Sequence, residues 1–250
     1  MLSLVKRIGF EPGKKLRALL ANAYRSIESQ DAFKGIKSSM PYCFATREHT
    51  HGHAYLLVPR NANPCSPMIL LLHGYGGNLL FQIHAIIQEL PSAIIVAPSW
   101  QIDWSQGPVE NRIALIEDSF RAASAVLGFE FKRPWVIGIS QGGIAAFEML
   151  PSEPSLFAGM LGISTCASLP LDAHFPTVPV WMAHGMRDDI IGIDDARLTV
   201  AALIDRGVSV EIGEVADADH FLLLSHREAL GRFVRPRLGV AELDPSAKSN

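Results

Sequence analysis

Short runs of unbroken apolar residues alternate with longer stretches of helical periodicity through most of the chain. Met68-Ile69-Leu70-Leu71-Leu72 closes at His73-Gly74, Ala93-Ile94-Ile95-Val96-Ala97 at Pro98, and Trp135-Val136-Ile137-Gly138-Ile139 at Ser140. A fourth run, Val178 to Ala183, closes at His184-Gly185. Pro179 has no N–H to give to a ladder, so that strand is expected to begin just after it. Runs that are apolar at every position and end in a turn signal predict strands buried on both faces. Val109–Leu127 instead places Ile113, Ile116, Phe120 and Ala123 at helical spacing and meets Gly128, which predicts an amphipathic helix with a glycine stop. Ile193–Arg206 followed by Gly207 repeats the arrangement ahead of a strand over Val208–Val215. This alternating order predicts a mostly parallel central sheet with right-handed crossovers and helices on both faces. An antiparallel hairpin around residues 53–58 is expected to precede it.

The two ends read differently. Lys14–Ser29 has the pattern of an amphipathic helix, so residues 1–40 are expected to form an N-terminal helical extension and residues 41–236 the α/β domain. Residues 237–250, which follow Pro236 and hold Pro245 with Ser, Lys and Asn, are expected to be a disordered tail. The apolar opening Met1–Val5 is cut by Lys6-Arg7, too soon for a signal peptide, and no stretch approaches the ~18 apolar residues of a membrane span. A cytoplasmic setting is the expectation. Hydrophobic residues at 48% and charged residues at 19% suit a buried sheet, and a net charge of -3 leaves no basic footprint for nucleic acid or anionic membrane. Cys43, Cys65 and Cys166 have neither C-x-x-C nor metal-ligand spacing and read as packing or surface thiols, so no metal site is expected.

Candidate chemistry begins where the third run ends. Gly138-Ile139-Ser140-Gln141-Gly142 matches G-x-S-x-G, with a strand pattern directly before it and the helical Ile144–Leu150 directly after. A serine at the tip of such a turn sits at a helix start, where unpaired N–H groups and the dipole favour a developing anion. The small residues at 138 and 142 let strand and helix approach. A serine hydroxyl needs a base, and the base needs an orienting acid. Of nine histidines, His220 and His226 lie downstream of both the elbow and a strand able to carry the acid. His220, in the polar Asp217–Phe221 loop after a strand, is the candidate base, and His226 falls in the following helix pattern at an expected surface position. Asp188 lies in the tight turn after His184-Gly185 and is the candidate acid, with Asp189 a competitor on spacing. Asp194 and Asp195 read as helix-start carboxylates. The glycines of His73-Gly74-Tyr75-Gly76-Gly77 allow backbone N–H groups to bend toward a reacting carbonyl as half of an oxyanion hole. The N–H of Gln141, after the nucleophile, is the other half. The loop lacks the G-x-x-x-x-G-K pattern of a phosphate cradle.

In chain order, His73-Gly74-x-Gly76-Gly77, Gly138-x-Ser140-Gln141-Gly142-Gly143, His184-Gly185-x-x-Asp188 and Asp219-His220 resemble the carboxylesterase and phospholipase/thioesterase-like branch of the α/β-hydrolase superfamily. The resemblance covers about residues 53–235, and the Ala97-Pro98-Ser99-Trp100 strand end is similar to the small esterases of that branch. It implies the α/β-hydrolase fold, a Ser140–Asp188–His220 triad, and oxyanion donors on the backbone of Tyr75 and Gln141. It also implies hydrolysis of acyl esters or thioesters through an acyl-enzyme, without metal or organic cofactor. An acyl-thioesterase or a serine peptidase would use the same triad, whereas a non-catalytic binding protein of this fold typically lacks one member. The segment Ser164–Thr177, where many relatives insert a lid, is short here, so no large lid domain is expected. An open site for a small or flexible acyl ester follows, with Trp100 and Trp104 as candidate pocket residues. The expected partner is a small-molecule ester, not nucleic acid or a membrane.

Overall fold

The computed structural model describes residues 25, 27–36, 53–75, 79–99, 104, 107–167, 175 and 178–240. The unbroken apolar runs form the middle of one seven-stranded sheet. Its strands are β1 (His53–Leu57), β2 (Met68–Leu72), β3 (Ile94–Ser99), β4 (Trp135–Ile139), β5 (Gly159–Ile163), β6 (Val180–Gly185) and β7 (Val210–Val215), in the spatial order β1-β3-β2-β4-β5-β6-β7. All neighbours pair in parallel except β1 with β3. The hairpin expected around 53–58 does not form. β1 is antiparallel, but it pairs with β3, Leu57 opposite Ile95 and His53 opposite Ser99, and not with β2. The connection through Pro59, Pro64 and Pro67 is no two-residue turn, and β3 enters between the two strands it joins. β3 also runs one residue past Pro98, which lies opposite Ala54 of the edge strand.

The crossovers are α1 (Leu79–Glu89), α2 (Val109–Leu127), α3 (Gln141–Ser152) and α4 (Ile193–Ile204), and the short α5 (Leu222–Ser225) and α6 (Arg227–Val234) follow β7. Gly128 ends α2 in the left-handed region at φ 73°, its N–H bonded to the Ser124 carbonyl at 2.8 Å. Successive residues of each strand point to opposite faces. Ile69, Leu71, Ile137, Ile139, Leu161 and Ile163 therefore pack with α1, α5 and α6. Leu70, Leu72, Val136, Met160 and Met182 pack with α2, α3 and α4. Burying each such side chain contributes roughly 1.5–3 kcal/mol, so the sheet is the stable platform from which the loops at its carboxyl edge project.

Described residues beyond both expected boundaries pack onto the sheet. The described part of residues 1–40 packs onto the domain: Ile27 and Phe33 are 3% and 1% exposed in the core beside α1. The Phe33 ring meets Phe81 at 5.3 Å and lies beneath the Arg227 guanidinium at 5.8 Å. Arg25, Ile27 and Glu28 are helical, and the rest of the Lys14–Ser29 helix lies outside the described residues. At the other end, residues 237–240 belong to the domain, because Arg237 pairs with Glu211 and Val240 is buried. The expected tail from 241 onward lies outside the described residues. Among the described residues no large lid domain interrupts the sheet, and no helix is long and apolar enough to cross a membrane.

Candidate active site

Ser140 stands between the last residue of β4 and the first of α3, at φ 50° and ψ −113°. A non-glycine residue held there stores on the order of 1–3 kcal/mol of strain. Its surroundings hold it in place. The Ser140 N–H donates to the Ile163 carbonyl at 2.8 Å, and the Ser140 carbonyl accepts from Gly143 N–H at 3.0 Å, Ile144 N–H at 3.1 Å and the Thr165 hydroxyl at 2.7 Å. The turn closes only because two neighbours lack side chains. A Cβ on Gly138 would lie 2.5 Å from the Gly143 Cα, and one on Gly142 would lie 2.2 Å from the Leu72 carbonyl oxygen.

The candidate base and the candidate acid arrive from two loops at the same sheet edge. His220 places Nε2 3.0 Å from Ser140 Oγ and Nδ1 2.8 Å from Asp188 Oδ2. A carboxylate only accepts, so Nδ1 carries the proton and Nε2 is left to accept from the serine hydroxyl. Of the two competing aspartates, Asp188 makes this bond, and its side chain is buried, whereas Asp189 is exposed. Asp188 Oδ1 accepts the N–H groups of Ile190 and Ile191, each at 2.9 Å. Burial pushes the Asp188 carboxyl upward, but hydrogen bonds from His184 and His220, the His220 charge and the Ile191 N–H outweigh it. They hold the group well below the usual carboxylate range. The two loops are stitched together: Met186 N–H donates to the Val215 carbonyl and Arg187 N–H to the Ala218 carbonyl, both at 2.9 Å. A Cβ on Gly185 would sit 2.3 Å from that Ala218 oxygen.

The glycine loop after β2 runs beside the serine, since a Cβ on Gly74 would lie 3.5 Å from Ser140 Cβ. Tyr75 follows on this loop, half-buried, and Gly76 and Gly77 lie outside the described residues. Gln141 opens α3, where the first N–H groups have no acceptor within the helix. Trp104 is wholly buried in the core of the α2–α3 face, its ring 5.5 Å from that of His73, so it presents no surface to a ligand here. The indole is large and apolar, and packing under the His73 loop removes it from water. Trp100 lies outside the described residues. His226 is bonded to Ser225 and ion-paired with Asp217, not Asp188, and Asp194 and Asp195 occupy the first turn of α4. Burial, then the charges of Asp195 and Asp188, push the Cys166 thiol up to about 11, which keeps it protonated at neutral pH. Among the described residues no group of three or more His, Cys, Asp or Glu converges as metal ligands do.

Two residues at the cluster carry no role in the sequence reading. Thr165, wholly buried, ties β5's carboxyl end to the serine carbonyl. His184, also wholly buried at the end of β6, lies with Nε2 3.2 Å from Asp188 Oδ2 and 2.8 Å from the Ile191 carbonyl. A histidine four residues before the acid in His184-Gly185-x-x-Asp188 was the available signal.

No protein-family model matches the chain. Among solved structures, a thermostable esterase superposes with a TM-score of 0.59 at 19% identity, over 74% of this chain and 58% of that one. The chain thus spans less than two thirds of that esterase. The Bacillus cereus carboxylesterase matches with a TM-score of 0.59 at 16% identity, over 73% of this chain and 93% of the other. Est1E from Butyrivibrio proteoclasticus matches at 0.55 and 15% identity, over 74% of this chain and 94% of its own. The chain has the α/β-hydrolase fold, and the first two of these similar proteins are esterases.

Proposed function

We propose that this chain is a serine hydrolase that cleaves carboxylic esters of small or flexible acyl groups through an acyl-enzyme. The observation that carries the reading is the unbroken hydrogen-bonded line from Ser140 Oγ through His220 to Asp188, with its serine at a strained strand-to-helix turn. Ser140 Oγ attacks the ester carbonyl carbon while its proton passes to His220 Nε2. Asp188 fixes the imidazole tautomer and stabilises the imidazolium that forms. The carbonyl oxygen gathers negative charge against the N–H groups of Gln141 and Tyr75. Collapse of the tetrahedral intermediate breaks the bond to the alcohol oxygen, which leaves with the proton held on His220. Water then attacks the acyl-serine with His220 again as base, which releases the acid and restores the hydroxyl. The proposal needs no metal or organic cofactor.

The experiment is covalent labelling with a fluorophosphonate probe alongside hydrolysis of short p-nitrophenyl esters. Wild-type protein is expected to be labelled on Ser140, and Ser140→Ala to lose both labelling and at least about 10,000-fold of the rate. Hydrolysis by Ser140→Ala at the wild-type rate overturns the proposal. A folded wild type inert to the probe points to a non-catalytic binding protein of this fold. Parallel ester, acyl-thioester and aminoacyl-peptide panels separate the bond classes open to this triad.

A further inference from the structure

His184 is the one wholly buried histidine of the cluster that the proposed reaction does not use. Its ring sits at the end of β6, against the Asp188 carboxylate. Nε2 is 2.8 Å from the Ile191 carbonyl oxygen, and a carbonyl can only accept, so Nε2 carries the ring proton. The same Nε2 is 3.2 Å from Asp188 Oδ2, the oxygen that also takes the His220 Nδ1 proton. Nδ1 of His184 is buried with no hydrogen-bond partner among the described residues, so a proton there would lie unpaired in the interior. The single N–H is thus shared between the acid and the far end of the turn that carries it. Asp188 Oδ1 binds that turn from inside through the Ile190 and Ile191 N–H groups. His184 binds it from outside through the Ile191 carbonyl, so the carboxylate has no free rotation about its own axis.

We infer that His184 is a positioning residue that acts through Asp188. Its Nε2–H locks the turn Asp188–Ile191 and aims Oδ2 at His220, so the base stays aligned with Ser140. The inference rests on the proposed Ser140–His220–Asp188 chemistry. A displacement of a reacting group by 1 Å costs about 10²-fold in rate, and the loss is expected in kcat, because His184 touches nothing that a substrate reaches. Ring geometry gives a discriminating pair of variants. In His184→Gln the amide nitrogen stands near the place of Nε2, whereas in His184→Asn it stands near that of Nδ1 and points away from Asp188. Both variants keep a polar amide in the cavity, so burial alone does not distinguish them.

The experiment compares kcat, KM and fluorophosphonate labelling rate for wild type, His184→Gln and His184→Asn, with unfolding curves for each. The expected result is a fall in kcat and labelling rate of at least about tenfold for His184→Asn at unchanged KM. His184→Gln is expected to stay within about threefold of wild type. Equal rates for His184→Asn and wild type, or equal losses in both variants, overturn the inference. If either variant fails to fold, ¹⁵N shifts of the wild-type ring decide. A protonated Nε2 with an unprotonated Nδ1 upholds the inference, and a proton on Nδ1 alone overturns it. A folded wild type that the probe never labels is instead a failure of the triad reading, and Ser140→Ala run alongside keeps the two failures apart.

Discussion

Asp188 gathers Ile190, Ile191, His184 and His220 around two oxygens, and its carboxyl is held below the ordinary range. The sign of the consequence follows. The folded protein binds this proton less readily than the unfolded chain, so the contribution to stability is complete above the ordinary carboxylate pKa of about 4. It is lost as pH falls below that. Denaturant unfolding between pH 7 and 3 is expected to show wild type losing stability more steeply than Asp188→Asn, which has no such proton to take up; parallel slopes would contradict this. The sequence favoured Asp188 by its place in the tight turn after the strand but left Asp189 a competitor on spacing. Spacing does not say which of two adjacent carboxylates the backbone turns inward, and only the closed turn to Ile191 settles that. For His184 the only signal in the sequence was its spacing in His184-Gly185-x-x-Asp188. Read along the strand it merely ends an apolar run, and its meaning depends on a turn that folds back over it.

At the scale of elements, the nucleophile turn is a collision avoided. Gly142 brings the amino end of α3 against the carboxyl end of β2, where an added Cβ would meet the Leu72 oxygen at 2.2 Å and the His73 oxygen at 2.7 Å. Gly142→Ala is therefore expected to destabilise the fold by about 1–3 kcal/mol, as overpacking does. It should also slow ester hydrolysis, because the same push displaces the His73–Tyr75 loop. A urea titration paired with a rate assay checks both, and wild-type values in the two would contradict the close approach. The strands legible in the sequence were β2, β3, β4 and β6, whose burial on both faces writes itself as unbroken apolar runs, and β7, read over Val208–Val215 after the Gly207 stop. β5 was not legible, since Gly159 and Gly162 interrupt its run. Gly159 answers to the Trp135 ring, far back along the chain, and Gly162 to the Thr165 side chain three residues on, and neither leaves space for a Cβ. β1 was read as a strand, but its partner depended on how β3 enters the sheet. Trp104, which looked like a pocket aromatic, is core.

For the whole molecule, the described N-terminal residues belong to the same hydrophobic core as α1, α5 and α6. Phe33 is wholly enclosed there, so Phe33→Ala is expected to cost about 3–5 kcal/mol by denaturant unfolding. The remaining folded fraction should keep its rate at Ser140. A loss under 1 kcal/mol would mean that the segment does not contribute to the core. Local periodicity could identify a helix before residue 30 but not the surface it covers, because that surface is assembled from helices much later in the chain. The stitching of the β6 and β7 loops through Met186–Val215 and Arg187–Ala218 has a mechanical consequence. The proposed base and acid ride on one bracket, and the proposed nucleophile rides on another built from β4, α3 and the end of β5. Between the brackets the proposed catalytic line has one joint, the 3.0 Å gap from His220 Nε2 to Ser140 Oγ. Relative movement of the two brackets changes that gap, whereas the bond between His220 and Asp188 lies within one bracket.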